Sequence, residues 1–154
     1  MKTIPVALSA ALCITALVLG ASDDPNVGSW RLNEAKSTIS AGVPKNTSVV
    51  YTALGESYKC VVDGVDAAGK PSHNEWTGKF DGKDYPVTGD PTADTRSLKR
   101  DKANHYTITN KKGGKQVLEG TVTFSADLKT RTLTTHATDA AGKKVTATSV
   151  YDRR

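Results

Sequence analysis

The chain has 154 residues, 24% of them charged and 37% hydrophobic, with two cysteines and a formal net charge of +5 at pH 7. That length suits one domain built round one core, and two cysteines are too few for a disulfide-framed scaffold. Lysines are scattered, with small knots at 99–102 and 111–115 that fall at predicted hairpin ends. A nucleic-acid binder instead gathers its charge on one element among exposed aromatics, so that class is excluded.

Taken in chain order, the first element is a leader. Lys2 is followed by an almost unbroken run of apolar and small residues from Ile4 to Gly20, which Asp23, Asp24 and Pro25 end. A charged start, an apolar stretch and a small-residue exit make a secretory signal. Residues 1–21 are therefore assigned to the signal and 22–154 to the folded domain, with cleavage among Gly20, Ala21 and Ser22. The apolar stretch of about 17 residues sits at the low limit for a membrane span, so an uncleaved anchor is the alternative. Leu12 is too bulky for the position before a lipid-bearing Cys13. The protein is expected to be exported, periplasmic or extracellular, and monomeric, without stable membrane insertion. Loss of Lys2 takes the formal charge from +5 to +4 and leaves Cys60 as the one cysteine, expected to be a small buried residue.

Strand-like runs rich in Thr, Val and Tyr then alternate with turn signals about every ten residues. Strands are predicted at 27–33, 47–54, 56–63, 72–80, 83–88, 94–100, 104–110, 115–125, 130–138 and 143–152, with at most a short helix near 34–40. The sequences Asp66-Ala67-Ala68-Gly69 and Asp139-Ala140-Ala141-Gly142 are near-copies, each followed by lysine. Asp81-Gly82 is a two-residue hairpin signal, Gly113-Gly114 reads likewise, and 101–104 and 126–129 read as longer loops. Short connections make consecutive strands antiparallel neighbours. A meander of that length exposes two edges unless it closes on itself. The expected fold is all-β, a single antiparallel up-and-down β-barrel of eight to ten strands.

Period two assigns the faces. Trp30 and Leu32 fall together, as do Tyr58, Cys60 and Val62; Trp76 and Phe80; Tyr106 and Ile108; and Leu118, Val122 and Phe124. These are expected inside, leaving His73, Glu75, Thr77 and Lys79 outside. The last two strands turn small residues inward, through Leu133, Thr135 and Ala137, then Val145, Ala147, Ser149 and Tyr151. A barrel of this size holds packed side chains or one small ligand, and small residues on one wall favour the ligand. In residues 95–101, Leu98 alternates with Arg96 and Arg100, so an inward Leu98 takes two guanidinium groups with it. Buried charge is costly unless paired. The plainer expectation is an edge strand whose arginines bridge to Asp94 or Asp101 at the rim. The alternative is that they meet an anion, for which arginine's planar fork is suited.

Gly28-Ser29-Trp30 at the start and Val150-Tyr151-Asp152-Arg153-Arg154 at the close resemble the opening and closing segments of the lipocalins and the wider calycin group. The chain as a whole is similar to small exported lipocalin-like proteins of bacteria. The resemblance implies a barrel shut at one end by the tryptophan, with an arginine of the last strand packed across it. Gly28, Trp30 and Arg153 take those places, Arg153 being preferred to Arg154 because it shares parity with Tyr151. Stacking guanidinium on indole adds cation–π attraction.

Other chemistry is not nominated. His73, His105 and His136 lie on three different strands without ligand spacing, and His73 with Glu75 offers one pair where zinc takes three or four ligands. Residues 89–95 lack the alternating oxygens of a calcium loop, and 111–116 lack the hydroxyl and spacing of a phosphate loop. No serine sits in a nucleophile elbow. No catalytic residue, metal ligand or cofactor is assigned. The expected function is binding of a small apolar or amphipathic molecule, lined by Tyr58, Trp76, Phe80, Tyr106 and Phe124, with Arg96 and Arg100 as anchors for an acidic group. The alternative is a structural or interaction module whose barrel is filled.

Overall fold

A computed structural model describes residues 23–139 and 141–154; the assigned signal, 1–21, lies outside the described residues. The strands are β1 (Gly28–Leu32), β2 (Lys45–Leu54), β3 (Ser57–Val65), β4 (Pro71–Gly78), β5 (Tyr85–Thr88), β6 (Thr95–Lys102), β7 (His105–Lys112), β8 (Lys115–Phe124), β9 (Thr130–Thr138) and β10 (Lys144–Arg153). One turn of 3-10 helix, Glu34–Lys36, is capped by the Asn33 side chain, which accepts from the Lys36 amide. Each strand pairs antiparallel with the next, and β10 pairs back onto β1 to close a barrel of ten strands. Trp30 stands opposite Val49 on one side and Arg153 on the other. The chain's first and last strands thus lie side by side, as the meander requires.

Alternation drives this arrangement. On β8 the pattern runs exposed, buried, exposed, buried from Glu119 to Phe124, with Gly120, Val122 and Phe124 inward and Glu119, Thr121 and Thr123 outward. Pairing transmits the parity round the ring: Val122 faces Leu133, which faces Ser149, and Phe124 faces Arg131, which faces Tyr151. The core contains Trp30, Val49, Tyr51, Cys60, Val62, Trp76, Leu98, Tyr106, Ile108, Val122, Phe124 and Tyr151. Burying large apolar side chains of this kind stabilises by roughly 1.5–3 kcal/mol each.

The two near-copied turns fold alike. In each, the aspartate carboxylate accepts from the backbone two and four residues on: Asp66 from Ala68 and Lys70, Asp139 from Ala141 and Lys143. This is the local side-chain capping that makes aspartate a turn former.

Asp81-Gly82 does not make a two-residue hairpin. β4 stops at Gly78 and β5 starts only at Tyr85, so the link is a loop of residues 79–84. The loop is drawn onto β6 instead: the Gly82 amide donates to the Leu98 carbonyl and the Arg100 amide to the Phe80 carbonyl, while Asp81 bridges Lys99. It stands in for β5, which has four residues and two register pairs with each neighbour. Conversely, 101–104 is tighter than expected. β6 runs to Lys102 past a bulge between Arg100 and Lys102, leaving a two-residue turn before His105.

Candidate functional site

The barrel has two unlike ends. The end nearer Trp30 is shut by the segment entering β1 and by Arg153. Gly28 has φ +128°, and a Cβ there would lie 2.7 Å from Arg153 Nη1, so glycine is required for the guanidinium to lie across the indole. Arg153 donates through Nε to the Leu128 carbonyl, Nη1 to Val27 and Nη2 to Pro25, at 2.7, 2.8 and 2.9 Å. Its Cζ is 4.2 Å from the Trp30 ring centroid. Trp30 Nε1 donates to the Asn26 carbonyl at 2.8 Å, which satisfies the one polar atom of a residue only 1% exposed.

The five aromatics expected to line a cavity are brought together, with Phe80 at the hub. Phe80 stacks on Tyr58 at 4.1 Å between centroids and lies 6.3 Å from Trp76 and 5.3 Å from Tyr106. Tyr106 meets Phe124 at 5.9 Å, and Phe124 meets Trp30 at 5.4 Å. These rings pack against one another over the Trp30 plug.

Four arginines lie on the inner face or at the plugged end, of which Arg96 and Arg131 are buried and Arg100 is exposed. β6 is not an edge strand, and neither Arg96 nor Arg100 bridges to Asp94 or Asp101. Arg96 reaches into the barrel, where its Nε donates to Asn110 Oδ1 at 3.0 Å, Nη1 to Asn74 Oδ1 at 3.3 Å and Nη2 to Asp90 Oδ2 at 3.5 Å. Arg100 turns to the plug, where Nη1 meets Asp24 Oδ2 at 3.4 Å and Nη2 the Ala103 carbonyl at 3.0 Å. The Tyr106 hydroxyl donates to the same Asp24 carboxylate at 2.8 Å. Arg153 holds carbonyls, as above.

The fourth is Arg131 on β9. It is 2% exposed, and its Nε and Nη1 are buried without a hydrogen-bond partner. Two rings face it, with its Cζ 5.4 Å from the Tyr151 centroid and 5.9 Å from that of Tyr51. Sequence reasoning missed this residue, although the signal was present: Arg131 shares parity with Leu133, which was placed inside. Asn74 and Asn110, which hold Arg96, were missed too. Cys60 is buried beside Tyr51, and burial pushes its thiol above the ordinary range, so it behaves as a small core residue and not as a nucleophile.

Leu32, Leu118, Leu133, Thr135, Ala137, Val145 and Ser149 belong to the inward face by register, yet solvent reaches each of them in part. On the outside, a groove of about 250 Å³ lies over the thin β4–β5 seam between Glu75, Thr77, Pro86 and Thr88. A second, of about 150 Å³, lies at the rim by Glu119, His136, Thr138 and Lys144. Among the described residues no cluster of three or more His, Cys, Asp or Glu could hold a metal ion.

Burial raises the Tyr51, Tyr106 and Tyr151 phenols above the ordinary tyrosine range, reinforced at Tyr106 by the bond to Asp24. A folded-state value above the unfolded one gives stability that is complete below about pH 10 and is lost as pH climbs past it. Alkaline titration is therefore expected to unfold the protein above about pH 10, with tyrosinate absorbance rising together with loss of the far-ultraviolet strand signal. Ionisation of all five tyrosines near pH 10 in an intact fold would contradict this burial.

Fold and site together define a closed ten-stranded antiparallel barrel, plugged at one end, with a buried arginine two of whose nitrogens have no hydrogen-bond partner. No family model matches the chain, and a search of curated proteins finds no match.

Proposed function

We propose that this is an exported, lipocalin-like protein that binds a small apolar or amphipathic molecule within the barrel, at the end away from Trp30. The observation that supports this reading is one stretch of the β9–β10 wall, where inward-facing Leu133, Thr135, Ala137, Val145 and Ser149 remain within reach of solvent. Interiors are close-packed when nothing else is to be accommodated, and on the opposite, aromatic side this one is. Export rests on Lys2 and the apolar run 4–20.

Both tryptophans are 1% exposed and belong to one ring cluster with Phe80, Tyr106 and Phe124, so a guest settling on that cluster alters their emission. Titration with a panel of straight-chain and cyclic amphiphiles is expected to shift or quench tryptophan fluorescence saturably for at least one class. A flat response across the panel would sink the reading. A second reading, an interaction module with a filled barrel, is favoured by the ring-to-ring packing of all five expected lining aromatics. It forecasts that flat response, and also a protein that carries no extractable small molecule when purified from its own host.

A further inference from the structure

The rim groove of about 150 Å³ is built by a fault in the strand pairing. Asn110 stands opposite Leu118 and Lys111 opposite Gln116, so Val117 is the extra residue of a bulge on β8. Bulges re-aim side chains at barrel rims and beside binding sites, and this one does so. By strict alternation Gln116 and Glu119 fall on opposite faces. Past the bulge they share one, and Gln116 Nε2 donates to Glu119 Oε2 at 2.9 Å. Val117 and Leu118, both half-buried, line the groove between them.

The charged groups round this groove are left unspent. Among the described residues every carboxylate except those of Asp23 and Glu119 either pairs with a basic side chain or caps its own turn. Glu119 has a neutral carboxamide as its partner instead. Two other groups on the groove are held in the same way: His136 Nδ1 lies 3.1 Å from Thr146 Oγ1, and Lys144 Nζ donates to Thr138 Oγ1 at 2.8 Å. Each is fixed by a neutral neighbour and none by an opposite charge, so the carboxylate keeps acceptor sites and the ammonium keeps donors. The other outer groove differs, since its Glu75 is already paired with Lys59 at 2.9 Å.

Register sets what fits. Glu119 stands opposite His136, and His136 opposite Thr146, while Lys144 pairs with Thr138. Glu119 on β8 and Lys144 on β10 are thus two strands apart, with His136 between them on β9, and all three line the one groove. Neighbouring strands lie about 4.8 Å apart, which separates the two backbones by about 10 Å. A single amino acid, with its ammonium and carboxylate on one carbon, is too short to meet both. A dipeptide puts another residue between them. It also presents a peptide bond at the middle, where His136 Nε2 finds an acceptor or a donor in either tautomer.

We propose that the groove binds a dipeptide with both ends free, its ammonium on Glu119, its carboxylate on Lys144 and a small apolar side chain on Val117 and Leu118. The site lies at the rim and is independent of the interior binding proposed above.

Backbone amide resonances of the purified protein are followed on adding alanylalanine, its N-acetyl derivative, its C-terminal amide, and alanine. Alanylalanine is expected to move the amides of 116–119, 136–138 and 144 saturably, at millimolar concentration. Blocking either end is expected to weaken binding by about three- to fivefold, the worth of one solvent-exposed ion pair, and alanine to bind more weakly than the dipeptide. Glu119→Gln should erase the difference between alanylalanine and its N-acetyl derivative while keeping that for the amide; Lys144→Gln should do the reverse. Both residues are exposed, so neither substitution threatens the fold. Unmoved amides at these positions overturn the proposal. So do blocked dipeptides that bind as tightly as the free one, alanine that matches the dipeptide, or variants that keep both differences. None of these results touches the interior reading, which is judged by tryptophan emission.

Discussion

Trp30→Ala is expected to lower the unfolding free energy by about 3–5 kcal/mol, the usual cost of removing a large buried aromatic whose surroundings cannot collapse. The residue is 1% exposed, touches Phe124 and carries Arg153 across its face. Collapse is resisted because Arg153 is tied to three carbonyls on two separate segments and cannot follow the lost ring inward. Arg153→Ala should cost less, since its carbonyl partners regain water at a partly exposed site. The pair should couple in a double-mutant cycle by about 0.5–3 kcal/mol. Chemical denaturation of the four proteins measures all three quantities. Additive losses would mean that the indole and the guanidinium act independently.

Arg131→Met is expected to act in the opposite sense and raise the stability of the ligand-free protein by about 1–3 kcal/mol. Two effects compete. The ring contacts of Arg131, at 5.4 and 5.9 Å, lie near the outer limit of cation–π attraction and contribute about 0.5–1 kcal/mol each. Against them stands the desolvation of a guanidinium with two orphaned nitrogens, a penalty of several kcal/mol in real proteins. Methionine keeps much of the side chain's length and needs no hydrogen bonds. Thermal melts of the ligand-free proteins decide the matter, and a lower midpoint for Arg131→Met would show Arg131 to be a structural element. Residues retained at a cost to stability are commonly those a function requires.

Much of this fold was legible because period-two alternation is strong where one strand face is buried. β8 and β9 were bounded to within a residue, and the inward sets of β3, β7 and β10 came from parity alone. Parity also indicated that the last two strands carry the small residues. The legible part ended where backbone pairing overrode local turn chemistry. Asp81-Gly82 has the preference for a tight hairpin, but Phe80 to Gly82 gain more by completing β6's hydrogen bonds than by closing on themselves. The arginines failed differently. A charged residue on an inward parity invites the assumption that its strand lies at an edge, whereas Arg96 is held inside by Asn74 and Asn110 from β4 and β7, partners that no local reading connects. Arg131 lies on the same parity as Leu133, Thr135 and Ala137, but the inward set read from that strand begins at Leu133 and so passes over it.

The plug joins Arg153 to the Val27 carbonyl across 126 positions of sequence. Topologies dominated by such distant pairings fold slowly, because chain entropy is lost long before the reward arrives. Hairpins β2–β3 through β9–β10 have local partners at hand, but β1 must wait until everything between it and β10 is arranged. Sealing the ring is therefore expected to come late in assembly, and an unsealed ring leaves β1 and β10 each with a bare edge open to any neighbouring chain. The lid that finishes the molecule is also what ends its period of vulnerability to aggregation.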